Sequence, residues 1–272
     1  MIIVQYDGSW SGLMSLIFEV YEFKMEVHAI CKSNEVSQQH LFGQQHIVYT
    51  DGNKAERVLK GIVLKAGKSV VQELYCAYLS EQNDIELLIL RLVQYYLGSK
   101  VKVSANYGHE DVLKLKQIIK SVSRERHRFK AFVRFRQMED GLYMAKIEPD
   151  FNILPLISSH FKNRYADQLW LIYDVKRNYG IYYDKSEVTE VQFDLIPSDQ
   201  HVMHKAHESE VLYDDLWKRY FQSVNIKERK NMKLHIQHVP RRYWKYLNEK
   251  IGSFGVTNSG TSVYSCFLLY VV

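Results

Sequence analysis

Basic and aromatic residues alternate along the stretch from His127 to Arg136, which reads HRFKAFVRFR. On a β-strand, successive side chains point to opposite faces. One face of such a strand would be apolar and suited to a core, and it would carry Phe129, Ala131, Val133 and Phe135. The other face would carry Arg128, Lys130, Phe132, Arg134 and Arg136. Four cations around one aromatic ring are typical of a surface that binds phosphates and stacks on a base.

A solvated outer face is the alternative interpretation of this stretch, with its cations neutralised by carboxylates on a neighbouring strand. Glu148 is one local candidate for such a carboxylate. The sequence alone leaves both interpretations open, because basic strands are common in proteins that bind no nucleic acid.

A second group of bases and aromatics lies near the end of the chain, where Arg241, Arg242, Tyr243 and Trp244 are consecutive. Together with Lys230 upstream, this composition predicts a second nucleic-acid-binding surface. The alternative is that Tyr243, Trp244 and Leu247 anchor a last helix in the core.

The net charge of +5 is unevenly distributed. Residues 113–136 contain nine Lys or Arg and one acid, and residues 225–250 contain eight Lys or Arg and two acids. The remainder of the chain is therefore acidic. Two concentrated basic segments on an acidic body are expected of a polyanion binder, unless both segments are solvated helix faces.

Six ionisable residues could carry acid–base catalysis, and they are His127, Glu148, His160, Arg164, Asp167 and Asp174. Their spacing matches no zinc or two-metal nuclease pattern, and His160 with Arg164 could equally hold a carboxylate. His201, His204 and His207 would spread around a helix, so no metal site is predicted there. No cofactor is predicted.

Composition excludes several classes of protein. Residues 1–10 lack a basic stretch followed by an apolar core, so no secretory signal is predicted. No apolar run approaches the roughly 20 residues that a membrane-spanning helix needs. Three widely separated cysteines indicate a reducing compartment and cannot form a CxxxCxxC cluster motif. We therefore expect a cytoplasmic protein without a membrane partner.

Periodicity predicts an α+β fold: a helix-rich N-terminal half with a short N-terminal strand, then antiparallel β-hairpins packed with helices. In the first half, a strand over 2–6 leads through the turn Asp7-Gly8-Ser9 into a helix over 11–23. Further strands are predicted over 27–31 and 47–49, and further helices from 53 and over 70–79, 84–97 and 109–122.

In the second half, the patterns predict a hairpin of 129–136 with 142–148 and a helix with Pro155 in its first turn. A second hairpin of 169–175 with 179–184, a strand over 188–193 and a helix over 208–224 follow. A capping box at 225–228 begins a helix that Pro240 ends. We expect residues 1–123 and 124–250 to form one continuous body, and 251–272 to be a tail of unknown role.

The sequence resembles bacterial probable DNA metabolism proteins, a family of unknown mechanism that is commonly encoded beside a putative DNA-repair radical-SAM protein. The resemblance rests on YDGSWSGLMSLIFEVYE, AERVLKGI, HRFKAFVRFR, HFKNRYADQLWLIYDVKRNYGIYYD, RKN and PRRYWKYLNEK. Related domains occur fused to uracil-DNA-glycosylase-like domains, although the glycosylase motifs themselves are missing from this chain. The resemblance implies an association with DNA repair and supplies no catalytic residues.

These observations favour a DNA-binding accessory protein in DNA repair or modification that acts with a radical-SAM or glycosylase-type partner. A nuclease or base-processing enzyme that uses His127, His160 and the nearby carboxylates is an alternative. A docking adaptor whose basic surfaces meet an acidic protein is another.

Overall fold

The computed structural model describes residues 2–33, 44–99, 106–192, 212, 213, 216, 219 and 232–247. Helices and mixed sheets make up the described residues, so the prediction of an α+β fold is confirmed. By its internal contacts the chain divides into two compact units, Met1–Ser123 and Arg124–Val272. That the two halves form one continuous body stays a prediction.

The first unit is built on a small parallel sheet of strands β1 (Ile2–Tyr6), β2 (Val27–Lys32) and β3 (Gln44–Ile47). Their order is β2-β1-β3, so β1 is central. Helix α1 (Trp10–Glu22) connects β1 to β2, since parallel neighbours need a crossover connection. The predicted strand over 2–6 is confirmed.

Three further helices lie wholly within the first unit, and they are α2 (Gly52–Ala66), α3 (Lys68–Tyr78) and α4 (Ile85–Gly98). Their bounds lie close to the predicted ones. Ser9 caps α1 by accepting the Gly12 N–H, and Asp51 caps α2 by accepting two N–H groups of its first turn. Helix α4 is the most buried of the three, as its apolar sequence indicates.

The basic stretch belongs to a helix, and the predicted strand over 129–136 is wrong. Helix α5 runs from Glu110 to Phe132. Its buried side chains recur at helical spacing, and they are Val112, Leu115, Ile118, Val122, Glu125 and Phe129. Phe129 fits the helical spacing of the preceding buried residues as well as the alternation of a strand. The helical pattern extends over about six turns and outweighs an alternating pattern of ten residues.

The second unit contains a five-stranded sheet. Its strands are β4 (Arg136–Gln137), β5 (Tyr143–Ile147), β6 (Trp170–Asp174), β7 (Tyr179–Tyr183) and β8 (Val188–Gln192), in that order across the sheet. Strands β6, β7 and β8 form the predicted antiparallel meander. Of the first strand of the predicted hairpin, only Arg136 pairs with β5, next to Gln137, which lies beyond the predicted strand.

Strands β5 and β6 are parallel, which the prediction of hairpins did not include. Helix α6 (Leu154–Arg164), with Pro155 in its first turn as predicted, makes the crossover between them. The end of α5 and helix α6 pack on one face of the sheet, where Phe129, Ile157, Phe161, Trp170 and Ile172 belong to one buried core.

Helix α7 (Met232–His238) is followed by Pro240 and a 3-10 helix (Arg241–Tyr246). The predicted helix over 208–224 falls almost entirely outside the described residues. So do the capping box at 225–228, Lys230, the three histidines His201, His204 and His207, and the tail. Within the described part of the chain, no helix combines the length and the apolar composition needed to cross a bilayer.

Candidate nucleic-acid interface

Three basic side chains lie close together where the last turn of α5 meets the second half of α6. Lys130 is exposed near the end of α5. On α6, Ile157 and Phe161 face the core, which leaves His160 and Arg164, one turn apart, on an adjacent stripe. We refer to Lys130, His160 and Arg164 as the cationic cluster.

The electrostatics of His160 show that the three groups influence one another. Burial lowers the pKa of the His160 imidazole, and the positive charges of Lys130 and Arg164 lower that pKa further. The Arg164 guanidinium lies 5.7 Å from the centre of the Tyr165 ring, and its Nε–H donates to the Tyr165 hydroxyl at 3.4 Å. Among the described residues, no carboxylate lies within ion-pair distance of Lys130 or Arg164.

This arrangement suits an anion. A lysine, an arginine and a neutral imidazole carry nine N–H donors in all, and among the described residues no carboxylate competes for them within ion-pair distance of the two cations. An anionic oxygen placed between them would relieve the repulsion that now lowers the pKa of His160. Phosphate is the anion that such lysine and arginine groups bind in nucleic-acid interfaces.

The other cations of the basic stretch do not share one face. The Arg128 guanidinium donates to the Gln237 carbonyl at 2.8 Å. Arg134 donates to the carbonyls of Ala131 at 2.5 Å and Val133 at 3.4 Å, so it caps the end of α5, where cations are favourable.

The remaining two members of the predicted basic face are also separated. Arg136 lies in β4, near enough to Lys146 to add to the burial that lowers the pKa of that lysine. Phe132 is half-buried, and its ring lies 5.9 Å from the ring of Tyr243. The five residues predicted to form one basic strand face are therefore dispersed, because α5 distributes the first three around its axis and the last two follow the end of the helix.

The second basic segment is built into the core. Tyr243 is 1% exposed and Trp244 is 7% exposed, so neither ring is available to stack on a base. The ring of Tyr243 packs edge-on against Phe129, and the Trp244 indole donates to the Val239 carbonyl. The alternative interpretation, in which Tyr243, Trp244 and Leu247 are core anchors, is the one that the structure shows.

A buried carboxylate, Glu125, holds this segment in place. It is 3% exposed and accepts the backbone N–H groups of Asp150 at 3.0 Å and Phe151 at 2.8 Å. The Tyr243 hydroxyl donates to the same carboxylate. Arg242 pairs with Asp150 at 2.5 Å, and its guanidinium lies 4.6 Å from the centre of the Tyr243 ring. Arg241 and Arg242 are both exposed, and Arg242 is engaged in this ion pair.

Glu148 is similarly engaged. The Lys245 ammonium and the Tyr246 hydroxyl both donate to it, and these two bonds, Lys245 first, lower the pKa of the Glu148 carboxyl. Asp174, at the end of β6, is fully buried and pairs with Arg177 at 2.8 Å. Burial raises the pKa of Asp174, which the Arg177 bonds oppose. The Glu148 contacts join the loop after β5 to the 3-10 helix, and Arg177, which also donates to the carbonyls of Pro149 and Asp150, joins the β6–β7 turn to that loop.

The six catalytic candidates do not form one site. Glu148 and Asp174 follow the parallel strands at their carboxyl ends, and the pKa of Tyr246 is raised by burial and by both carboxylates. His160 and Arg164 lie near the other end of α6, close to the start of β6. His127 and Asp167 are exposed. In the ranges that the structure describes, no group of three or more His, Cys, Asp or Glu could hold a metal ion.

Sequence reasoning missed Glu125, Asp150 and Arg177 as members of the polar network. For Glu125 the signal was present: it occupies a core position of the α5 stripe between Val122 and Phe129. An acid at a core position needs buried donors, and its presence could have predicted them.

The fold and the site define an α+β protein that carries a cluster of cations on two packed helices. Residues 83–249 match a family model described as a domain of unknown function, DUF4130. Because that match covers more than half of the chain, the protein belongs to this family. No curated protein and no solved structure matches the chain.

Proposed function

We propose that the protein is a DNA-binding accessory factor in DNA repair or modification, and that it acts in the cytoplasm with a radical-SAM or glycosylase-type partner. The observation that supports DNA binding is the cationic cluster, in which the charges of Lys130 and Arg164 both act on His160 and no carboxylate lies within ion-pair distance of either cation among the described residues. The repair context and the partner come from the sequence resemblance and are proposed with it.

The proposal depends on the contrast between the two basic segments. In the 3-10 helix, Arg242 and Lys245 are already paired with Asp150 and Glu148. Their charges are compensated within the protein, so they add little to the attraction of a polyanion. Among the described residues, no carboxylate pairs with Lys130 or Arg164, so these two side chains and His160 are the groups that we expect to contact DNA phosphates.

The geometry supports binding better than hydrolysis. A nuclease or base-processing site would need His160 beside a carboxylate that can act as a general base or hold a metal. Two of the three candidate carboxylates, Glu148 and Asp174, are instead engaged at the opposite end of α6.

Fluorescence anisotropy of a labelled duplex oligonucleotide, measured over a series of salt concentrations, tests the proposal. We expect the association constant to fall as salt rises, since phosphate binding releases counterions. The double variant Lys130→Ala/Arg164→Ala should bind more weakly and should reduce the slope of log K against log salt by about 2, or about 1 for each lost phosphate contact.

The matched control is Lys65→Ala, which removes an exposed lysine from the last turn of α2. It should leave the association constant and the slope of log K against log salt unchanged. Equal binding by the wild type and the double variant would refute the assignment of the cluster to DNA. Tighter binding of a polyglutamate of equal charge than of DNA would instead favour the docking adaptor.

A further inference from the structure

A loop in the first unit lies where ligands bind in many parallel sheets. Residues Asp7, Gly8 and Ser9 follow the central strand β1 at its carboxyl end. Strand β2 lies on one side of β1 and β3 on the other, so the strand order reverses at this point. In open parallel sheets the crevice outside such a reversal is the usual place for a ligand.

Three aromatic rings gather beside this loop. Trp10, the first residue of α1, lies 5.4 Å from Tyr75 and 5.3 Å from Tyr78, measured between ring centres. Tyr75 and Tyr78 are nearly parallel, at 20°. All three are partly exposed. We refer to Trp10, Tyr75 and Tyr78 as the aromatic trio.

The trio is attached to the loop by a hydrogen bond. The Tyr78 hydroxyl donates to the Gly8 carbonyl. Burial raises the pKa of that hydroxyl, as do the nearby carboxylates Glu86 and Asp7, so it keeps its proton at neutral pH. The rings are therefore held in place in the absence of any ligand, which reduces the entropy lost when something stacks on them.

The polar groups around the loop suit neutral donors better than a phosphate. Asp7 accepts from the Ser9 N–H at 2.9 Å, the Ser9 hydroxyl at 2.8 Å and the Thr50 hydroxyl at 2.7 Å. Burial alone would raise the pKa of the Asp7 carboxyl, but these bonds outweigh it and lower the pKa. The carboxylate is thus ionised, and because three donor groups engage its roughly four lone-pair sites, one site is left to accept an N–H or O–H of a nucleoside.

Close packing keeps this carboxylate against the first turn of α1. A Cβ added at Gly12 would lie 2.1 Å from Asp7 Oδ1 and 2.8 Å from Thr50 Oγ1. Only glycine at this position lets the carboxylate and the hydroxyl approach the helix so closely.

We propose that the aromatic trio stacks on an unpaired nucleobase of single-stranded DNA, with Asp7 accepting a hydrogen bond from that nucleoside. Base–aromatic stacking tolerates any base, because every base has a π-face. This inference rests on the proposed function and specifies single-stranded DNA as the ligand. Because it uses residues of the first unit only, it can be tested independently of the cationic cluster.

Tryptophan fluorescence of the full chain tests it, with a short single-stranded deoxyadenosine oligonucleotide as the probe. We expect the oligonucleotide to quench part of the emission, and Trp10→Phe to abolish that quenching while retaining a ring. Tyr75→Leu should weaken binding by about 5- to 150-fold, the loss expected for one stacked base.

The matched control is Tyr21→Leu, which removes an exposed tyrosine of α1 outside the trio and should change nothing. Circular dichroism will show whether Tyr75→Leu is folded, and Tyr78→Phe, which loses only the bond to Gly8, provides a milder second variant. Equal affinity of the wild type and Tyr75→Leu, or quenching that survives Trp10→Phe, would overturn the proposal.

Two further arms separate this inference from the proposed function. Lys130→Ala/Arg164→Ala should retain the full quenching amplitude at saturating single strand, even where its duplex binding is lost. Deoxyadenosine monophosphate should bind more weakly than the oligonucleotide, and equal affinity for the two would refute the assignment to a DNA strand.

Discussion

At the scale of single residues, the second unit depends on how buried carboxylates are satisfied. Glu125 receives two backbone N–H groups and the Tyr243 hydroxyl, and Asp174 receives Arg177 with the backbone N–H groups of Lys176 and Arg177. Removing such an acceptor leaves several buried donors without a partner. That penalty exceeds the net contribution of any one of the bonds.

For Glu125→Ala we therefore expect a loss of about 3–5 kcal/mol in the free energy of unfolding, measured by urea denaturation. Tyr243→Phe should cost about 1–2 kcal/mol, and the two changes together should cost less than their sum because they share one bond. Glu139→Ala, at an exposed turn, is the control and should stay within about 0.5 kcal/mol. A cost below about 1 kcal/mol for Glu125→Ala would show that the network is not needed for stability.

His160 offers a direct measure of the cationic cluster. Since burial, Lys130 and Arg164 lower its pKa, we expect an NMR titration to place that pKa below the ordinary value of about 6.5. Lys130→Ala should raise the pKa, and bound phosphate or DNA should raise it more. A folded-state pKa below the unfolded one means that the contribution of this group to stability is fully present above the unfolded pKa and is lost as the pH falls through the folded pKa.

The assignment of the His160 resonance can be made with His160→Gln. An unchanged His160 pKa in both Lys130→Ala and Arg164→Ala would mean that the three side chains do not share one environment in solution.

At the scale of elements, periodicity predicted most of the fold. The strand over 2–6, the helix begun by Pro155 and the meander from β6 to β8 all follow from local pattern and turn residues. The end of α5 was missed because Phe129 and Val133 satisfy both a strand and a helix. The parallel pairing of β5 with β6 was missed because strand pairing depends on the packing of the whole sheet. The residue pattern of a single strand does not indicate which strand it pairs with.

Gly180 in β7 shows how closely two strands are fitted. It pairs with Tyr173, and an added Cβ would lie 2.9 Å from the Ile172 carbonyl oxygen and 3.3 Å from Tyr173 Cδ2. We expect Gly180→Ala to lower the melting temperature, with a cost of about 1–3 kcal/mol from overpacking.

The same substitution at Gly61 is the control for Gly180→Ala. Gly61 lies inside α2, where a Cβ would make an ordinary 3.7 Å contact with Leu97, so Gly61→Ala should stabilise the protein by about 0.5–1 kcal/mol. Stabilisation by Gly180→Ala would mean that β6 and β7 can move apart at little cost.

At the scale of the whole molecule, the sequence revealed the segregation of charge but not which charges are compensated. Both basic segments are rich in Lys and Arg, yet Arg242 and Lys245 are paired with acids, while no acid of the described residues pairs with Lys130 or Arg164. Pairing depends on which distant acids the fold brings near, and Asp150 lies about ninety residues from Arg242 in the chain. Composition therefore predicts an affinity for polyanions, and only the fold can assign it to a surface.

The bond between Glu125 and Tyr243 also has a consequence for biosynthesis. The two residues are 118 positions apart, so at about 5–20 residues per second a ribosome makes Glu125 between about 6 and about 24 s before its tyrosine. During that interval a nascent second unit that closed over Glu125 would enclose a carboxylate short of its hydroxyl donor and of Arg242. We therefore expect the second unit to complete its folding only after the PRRYWKY segment has left the exit tunnel. Until then the buried side chains of α5 would be exposed to chaperones.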